Sequence, residues 1–156
     1  MPSNYRISLD DLTPNNLGVL QRINSVVLPT SYSDKWYKES LTVGELAKLA
    51  FFNEVPVGAI RCALETSKES SKIYIMTLAV LAAYRRYGIG RKLVEHILEY
   101  AKSSQVKEVY CHVWVENEEA MAWYAHQGFE RGEFLKGYYR KMEPAGDAYI
   151  FRKVIE

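Results

Sequence analysis

A nearly unbroken apolar run, Ile73 to Leu81, is followed by a short turn and then by Arg85-Arg86-Tyr87-Gly88-Ile89-Gly90. Arg91-Lys92-Leu93-Val94-Glu95-His96-Ile97-Leu98 comes next. No other stretch limits the possible folds as much. It reads as a strand, a basic loop carrying two glycines, and an amphipathic helix. That order puts consecutive backbone N–H groups at a helix N-terminus, where the helix dipole adds partial positive charge. Gly88 and Gly90 admit a close ligand and backbone conformations that a Cβ disfavours. The ligand suited to such a loop is a pyrophosphate; the plain alternative is a glycine turn before a surface helix.

The spacing excludes the commoner phosphate loops. The chain has no Gly-x-x-x-x-Gly-Lys-Ser/Thr and no Gly-x-Gly-x-x-Gly after an early strand. The pattern present, Arg-x-x-Gly-x-Gly, resembles the acetyl-CoA loop of the GNAT acetyltransferases.

With 156 residues the chain is long enough for one domain, residues 1–156, with a substantial core. A net charge of +1 gives no global case for nucleic acid. Cys62 and Cys111 lie in apolar runs and are expected to pack as reduced thiols of an intracellular protein. No metal-ligand spacing stands out, so no metal is expected. No apolar run of about 18 residues and no signal-peptide core is present, so no membrane attachment is expected.

Along the chain, Tyr5 to Leu9 alternates as a short strand. Thr13-Pro14 offers an N-cap and a first-turn proline to a helix with Leu17, Leu20, Ile23 and Val27 on one face. Leu28 to Tyr32 breaks it, and Ser33 caps a second helix. Residues 46–52 and 55–64 read as a hairpin turning at Asn53-Glu54. The run 73–81 is expected to be a central strand buried on both faces. Helix 89–102 has an apolar stripe with His96 opposite, a solvated position. A strand spans 106–114, Asn117 caps a helix that Gly128 ends, and strands at 129–134 and 148–154 are joined by a long connection holding Tyr138-Tyr139. The order is β-α-α-β-β-β-α-β-α-β-β, an α/β (α+β) mixed sheet flanked by helices.

Longer segments sharpen the resemblance. Gly44 to Ala50, Tyr74-Ile75-Met76-Thr77-Leu78, Tyr84 to Gly90, Phe129-Glu130, and Tyr138-Tyr139 followed by Glu143-Pro144-Ala145 are similar to the catalytic subunits of NatE, N-terminal acetyltransferases of the GNAT superfamily. The resemblance implies the GNAT fold, with splayed central parallel strands, and acetyl-CoA as cosubstrate. Leu78, Ala79 and Val80 would present backbone to the pantetheine arm, and Arg85, Arg86, Tyr87, Gly88, Ile89, Gly90 and Arg91 would take the pyrophosphate. Asn117 and Tyr124 would face the thioester end. Leu28, Pro29, Thr30, Tyr32, Met76, Tyr138 and Tyr139 would hold the peptide N-terminus, and Tyr74 and His112 would be the catalytic pair. It also implies peptide substrates, NatA subunits as partners, ribosome association through them, and a cytoplasmic setting that extends to the nucleus.

The residues themselves are compatible with that pair. Tyr74, Met76 and Leu78 share one strand face, as do Tyr110, His112 and Trp114. If the two strands are neighbours, Tyr74 and His112 border one cavity; the alternative is a buried tyrosine and a histidine held by backbone partners. Cys111 points away from His112, which excludes a Cys–His pair.

The chemistry implied is acyl transfer from a thioester to a neutral amine. At neutral pH, deprotonating a protein α-amine costs about 1 kcal/mol, against about 4–5 for a lysine. A weak base such as His112, acting through water, suffices for the first. A phenol at its reference pKa is a poor base, so Tyr74 is expected to position water or substrate. A backbone N–H near Leu78 is the expected oxyanion donor. The related enzymes commonly carry Phe-Pro-Val where this chain has Leu28-Pro29-Thr30. A first Met with an apolar second residue remains the expected substrate, its contact weakened by about 1 kcal/mol or less. Two other readings fit the residues less fully: a weak or inactive NatE-type subunit docked on NatA, and a lysine acetyltransferase.

Overall fold

A computed structural model of the chain describes residues 4–142 and 145–156. Glu143 and Pro144, part of one quoted motif, lie outside the described residues. The order of α-helices and strands matches the expected one: β1 (Ile7–Asp11), α1 (Leu17–Val27), α2 (Asp34–Glu39), β2 (Ala47–Phe52), β3 (Val55–Thr66), β4 (Ser71–Val80), α3 (Ile89–Ser103), β5 (Glu108–Trp114), α4 (Glu118–His126), β6 (Glu130–Tyr139) and β7 (Gly146–Val154). The strands hydrogen-bond in the order β1-β2-β3-β4-β5-β7-β6. The sheet is mixed: β4 and β5 run parallel, whereas β1–β2, β2–β3, β5–β7 and β6–β7 are antiparallel. The chain packs into two compact units, one made of residues up to Ala63 with Ile75–Tyr100, the other of Leu64–Tyr74 with Ala101–Glu156.

In the first unit, Leu20, Ile23, Tyr37, Leu49, Ala59 and Ala79 form a buried cluster, with Leu28, Tyr32 and Trp36 packed against it. α3 buries Ile89, Leu93, Val94 and Ile97 completely or nearly so, as its apolar stripe requires. Its His96 is half-buried rather than solvated, with Nε2 2.9 Å from the Glu45 carbonyl oxygen. Glu45 in turn pairs with the buried Lys48 at 2.8 Å, and Lys48 also pairs with Asp11. A lysine on an inner strand thus has two carboxylates as counter-charges, as a buried ammonium demands.

Several boundaries differ from the sequence reading by one or two residues, such as β4, which starts at Ser71, and β5, which starts at Glu108; three others stand out. β1 starts at Ile7, and α1 starts at Leu17 rather than at Thr13-Pro14. Asn16 accounts for the second shift. Its Oδ1 accepts from the Thr13 N–H at 2.8 Å and its Nδ2 donates to the Asp11 carbonyl at 3.0 Å. Those bonds close Thr13–Asn16 into a turn, a competing use of the backbone that Asn favours. The third is β6, which runs on to Tyr139. Ser33 does cap α2, accepting from the Trp36 N–H at 3.2 Å. Asn53 does turn the hairpin with φ +56°.

In the second unit, β5 alternates in burial: Val109, Cys111 and Val113 are buried, while Tyr110, His112 and Trp114 are half-buried. Asn117 caps α4 through the Ala120 N–H at 3.0 Å, with Glu118 and Glu119 in the first turn. Gly128, at φ +91°, turns the chain out of the helix.

Candidate active site

The basic loop belongs to the first unit. β4 is not buried on both faces as expected: Ile75, Thr77 and Ala79 are buried, whereas Met76, Leu78 and Val80 stay half-exposed. The parallel ladder with β5 pairs Lys72 with Glu108, Ile73 with Val109 and Tyr74 with Tyr110. β4 itself runs on to Val80 beyond the last of these pairs.

The end of β4 is tied down from β3. The β2–β3 register shifts between Ala50 and Phe51, which leaves Val57 as an extra residue, and its carbonyl accepts from the Leu81 N–H at 2.8 Å. A Cβ on Gly58 would stand 3.0 Å from the Ala79 carbonyl oxygen and 3.2 Å from Ile89 Cγ2. Only a glycine lets β3, β4 and the start of α3 approach this closely. Past β4, Arg85 Nε donates to the Val80 carbonyl at 3.1 Å. Arg86 and Gly88 adopt left-handed backbone, φ +73° and +83°. The first helical bond of α3 runs from the Lys92 N–H to the Gly88 carbonyl, at 3.0 Å. The N–H groups of Ile89, Gly90 and Arg91 therefore precede the helix ladder and point along the positive end of its dipole. Gly90 is itself helical, so the special geometry belongs to Gly88 and Arg86. Arg85, Arg86 and Arg91 are exposed. Tyr87 is clamped by Tyr5 and Phe52, with ring centroids 5.3 and 4.9 Å away. Free amides, a dipole, three cations and left-handed turns suit a diphosphate, and these residues fit acetyl-CoA.

The peptide-clasping residues expected from the α1–α2 connection lie in the same unit. Leu28 and Tyr32 are half-buried, Pro29 and Thr30 exposed. Tyr32 stacks on Trp36 at 4.3 Å. Arg61, buried to 5% exposure, bonds Ser40 Oγ at 3.0 Å and the Met76 sulfur at 2.9 Å. Its guanidinium lies 5.4 Å from the Trp36 ring centroid. Sequence reading passed over this tether on Met76.

The tyrosine–histidine cluster belongs to the second unit. Tyr74 Oη is 3.1 Å from His112 Nδ1, Tyr138 Oη is 3.2 Å from the same nitrogen, and the two hydroxyls are 3.2 Å apart. Tyr74 and His112 therefore do meet, and two side-chain hydroxyls stand at the His112 Nδ1. Tyr138 also stacks flat on the imidazole, with centroids 4.2 Å apart at 16°. With His112 neutral and its proton on Nε2, one hydroxyl donates to Nδ1 and the second can donate to the first. Burial holds the His112 pKa below its ordinary value, with the Glu65 charge opposing the shift. At neutral pH the imidazole is accordingly unprotonated and able to accept.

Behind the cluster, Tyr110 stacks on Tyr74 at 5.0 Å and donates to Glu65 Oε1 at 2.5 Å. Burial, joined by that bond, pushes its phenol well above the ordinary range, so it remains a donor. Sequence reading set Tyr110 on the His112 face without giving it a part, and nothing marked Glu65. Tyr138 and Tyr139 sit on β6 rather than in a long connection, and Tyr139 packs edge-on to Tyr138 at 5.0 Å.

Asn117 and Tyr124 take structural positions in this unit. Asn117 is the α4 cap. Tyr124 is 9% exposed, packed on Phe129 and Phe151, and bonds the Cys111 sulfur. Burial pushes the Cys111 thiol up to about 12, so it stays protonated and cannot serve as a nucleophile. Among the described residues, no group of three or more His, Cys, Asp and Glu is placed to hold a metal ion.

The model of the acetyltransferase (GNAT) family matches residues 17–129. N-alpha-acetyltransferase 50 of Danio rerio is 48% identical over 149 residues, 95% of this chain and 88% of that protein. The solved structure of Arabidopsis thaliana Naa50 in complex with the bisubstrate analogue CoA-Ac-MVNAL is similar with a TM-score of 0.87 and 40% identity, over 94% of this chain and 97% of that one. A chain in the crystal structure of the NatC complex bound to Gag peptide and CoA is similar with a TM-score of 0.84 and 25% identity, over 97% of this chain and 99% of that one. The chain belongs to the GNAT acetyltransferase family and, within it, to the N-alpha-acetyltransferases related to N-alpha-acetyltransferase 50, the catalytic subunit of NatE.

Proposed function

We propose that this chain moves an acetyl group from acetyl-CoA to the α-amine of peptides that begin with Met and an apolar residue, by direct attack of the amine. The observation that carries the catalytic assignment is the triangle of Tyr74, Tyr138 and His112 at 3.1–3.2 Å. Acetyl-CoA would supply the acetyl group as a thioester: the amine nitrogen bonds the carbonyl carbon, the C–S bond breaks, and CoA leaves as a thiolate that takes up the second proton lost by the nitrogen. The amides of Ile89, Gly90 and Arg91 with Arg85 and Arg86 would hold its diphosphate, and the half-exposed face of β4 with Met76, Leu78 and Val80 would receive its arm. His112 takes the amine's proton through water and the Tyr74 hydroxyl, Tyr74 passing its own proton to Nδ1 as it receives another. The new Nδ1–H of His112 then donates to the Tyr74 oxygen, whose O–H now carries the proton received from water. The weak base matches the substrate: an α-amine needs about 1 kcal/mol to lose its proton at pH 7, a lysine about 4–5.

The relative solved with CoA-Ac-MVNAL supports a first Met followed by an apolar residue. Leu28 keeps the first loop apolar, and Thr30 changes its contact. Work beside NatA subunits, and through them at the ribosome in the cytoplasm, suits an enzyme whose substrates are new N-termini. The NatC structure is a case of a related chain within a complex. The test is acetyl transfer from labelled acetyl-CoA to a panel of peptides. Met-apolar peptides are expected to react fastest; faster turnover of Ser- or Ala-starting peptides would overturn the assigned preference.

A further inference from the structure

β6 does not run in simple register with β7. Leu135 pairs with Ala148, and the next pair is Tyr139 with Gly146. Four steps on β6 thus answer two on β7, and Lys136, Gly137 and Tyr138 bow out of the ladder. The bow is built around Gly137, whose backbone is left-handed at φ +67°. A bowed segment leaves its amides without ladder partners, and each needs another acceptor. The Gly137 N–H has one: it donates to Asp147 Oδ1 at 2.7 Å. Asp147 is itself fixed, since its carbonyl accepts from the Val115 N–H at 3.0 Å, just past the end of the strand that bears His112.

The next residue after Gly137 is Tyr138. It is 39% exposed, so packing alone holds it loosely. Its hydroxyl nevertheless reaches His112 Nδ1 and Tyr74 Oη, both at 3.2 Å. In a regular strand, moving one residue along the register turns a side chain to the opposite face. The bow therefore decides whether Tyr138 meets His112 at all, and a charge-assisted bond holds the bow.

We infer that Asp147 is a positioning residue for amine activation: its carboxylate holds the Gly137 amide, and the resulting bow of β6 delivers the Tyr138 hydroxyl to His112. Asp147 bonds the Gly137 amide and acts through Tyr138. The inference rests on reading Tyr74, His112 and Tyr138 as the site where the amine is activated.

The test compares Asp147→Ala, Asp147→Ser and Asp147→Asn in the full chain by steady-state kinetics. Asn keeps an Oδ1 acceptor; the Ser hydroxyl stops short of the amide. Ala and Ser are expected to lower kcat/KM for the peptide about ten- to a hundredfold, with the KM for acetyl-CoA unchanged. Asn should restore activity to within about threefold of the original chain. A second arm places the same changes on Tyr138→Phe, where Asp147→Ala should add no further loss, because its route is already cut. Full activity of the Ala or Ser variant, an Asn variant as poor as Ala, or additive losses in the double variant would each overturn the inference. Should His112→Phe prove fully active, the reading of the site fails instead. A crippled His112→Phe beside an unaffected Asp147→Ala sinks the Asp147 role alone.

Discussion

Replacing His112 with Phe removes one nitrogen acceptor and leaves most of the packing. The flat stack on Tyr138 at 4.2 Å can persist, and the Tyr74 and Tyr138 hydroxyls, 3.2 Å apart, can still bond each other. Neither hydroxyl is orphaned, so the fold should hold. The loss is catalytic. A positioned general base contributes about 10²–10⁴ in rate, and one working through a relay sits toward the lower part of that range. The expected fall in kcat/KM for a peptide at pH 7 is about ten- to a thousandfold. The variant then depends on amine that is neutral on its own, roughly a tenth to a sixth of the total at pH 7. Raising the pH to 9 should recover about six- to tenfold and no more. In the original chain, burial holds the His112 pKa below the ordinary histidine value, so the acid limb of kcat/KM should lie below about pH 6.5. The assay is steady-state transfer from labelled acetyl-CoA across pH 5–9, beside calorimetric acetyl-CoA binding. Unchanged turnover at pH 7, or a loss confined to acetyl-CoA affinity, would refute the assignment.

Two further outcomes follow from the same geometry. Gly88→Val meets no steric obstacle, since a Cβ there has nothing within 4 Å. Its φ of +83° is nonetheless strained for a β-branched residue, by about 1–2 kcal/mol, and acetyl-CoA binding should weaken about tenfold. Gly88→Asn should do less harm, because Asn tolerates left-handed backbone; equal affinity of the Val variant by calorimetry would remove this loop from the cofactor site. The lowered His112 pKa also sets an acid limit on stability. As pH falls through the unfolded value near 6.5, the unfolded chain takes the proton first, so stability drops from there down to the folded pKa. Denaturation midpoints should therefore decline between pH 7 and 5, and less steeply in His112→Phe; parallel slopes would mean that His112 is not buried in its neutral form.

Periodicity carried much of this structure. The alternation of Tyr110, His112 and Trp114, and that of Tyr74, Met76 and Leu78, fixed which side chains share a face before any pairing was known. Once β4 and β5 paired at Tyr74–Tyr110, the meeting of Tyr74 with His112 followed. Arg-x-x-Gly-x-Gly marked the loop because backbone chemistry at a helix N-terminus needs those residues. Features that depend on register or on remote partners could not be read in this way. Tyr138 reached His112 only through a two-residue excess in β6, and no local pattern announces such an excess. Gly137 directly before Tyr138 was the one available hint. Gly58 looked like an ordinary strand residue, yet it permits the contact among β3, β4 and α3. Thr13-Pro14 has the residues of a helix start, and only the side-chain bonds of Asn16, which close a turn over it, decide otherwise. Glu65 was one carboxylate among many until Tyr110 bonded it.

The most direct measurement uses a single peptide with a free Met α-amine, an apolar second residue and an internal lysine, incubated at pH 7 with labelled acetyl-CoA and the purified chain. Mass spectrometry of the product should find the acetyl group on the α-amine and the lysine unmodified. Label on the lysine instead, or no transfer by a chain that binds acetyl-CoA, would contradict the account.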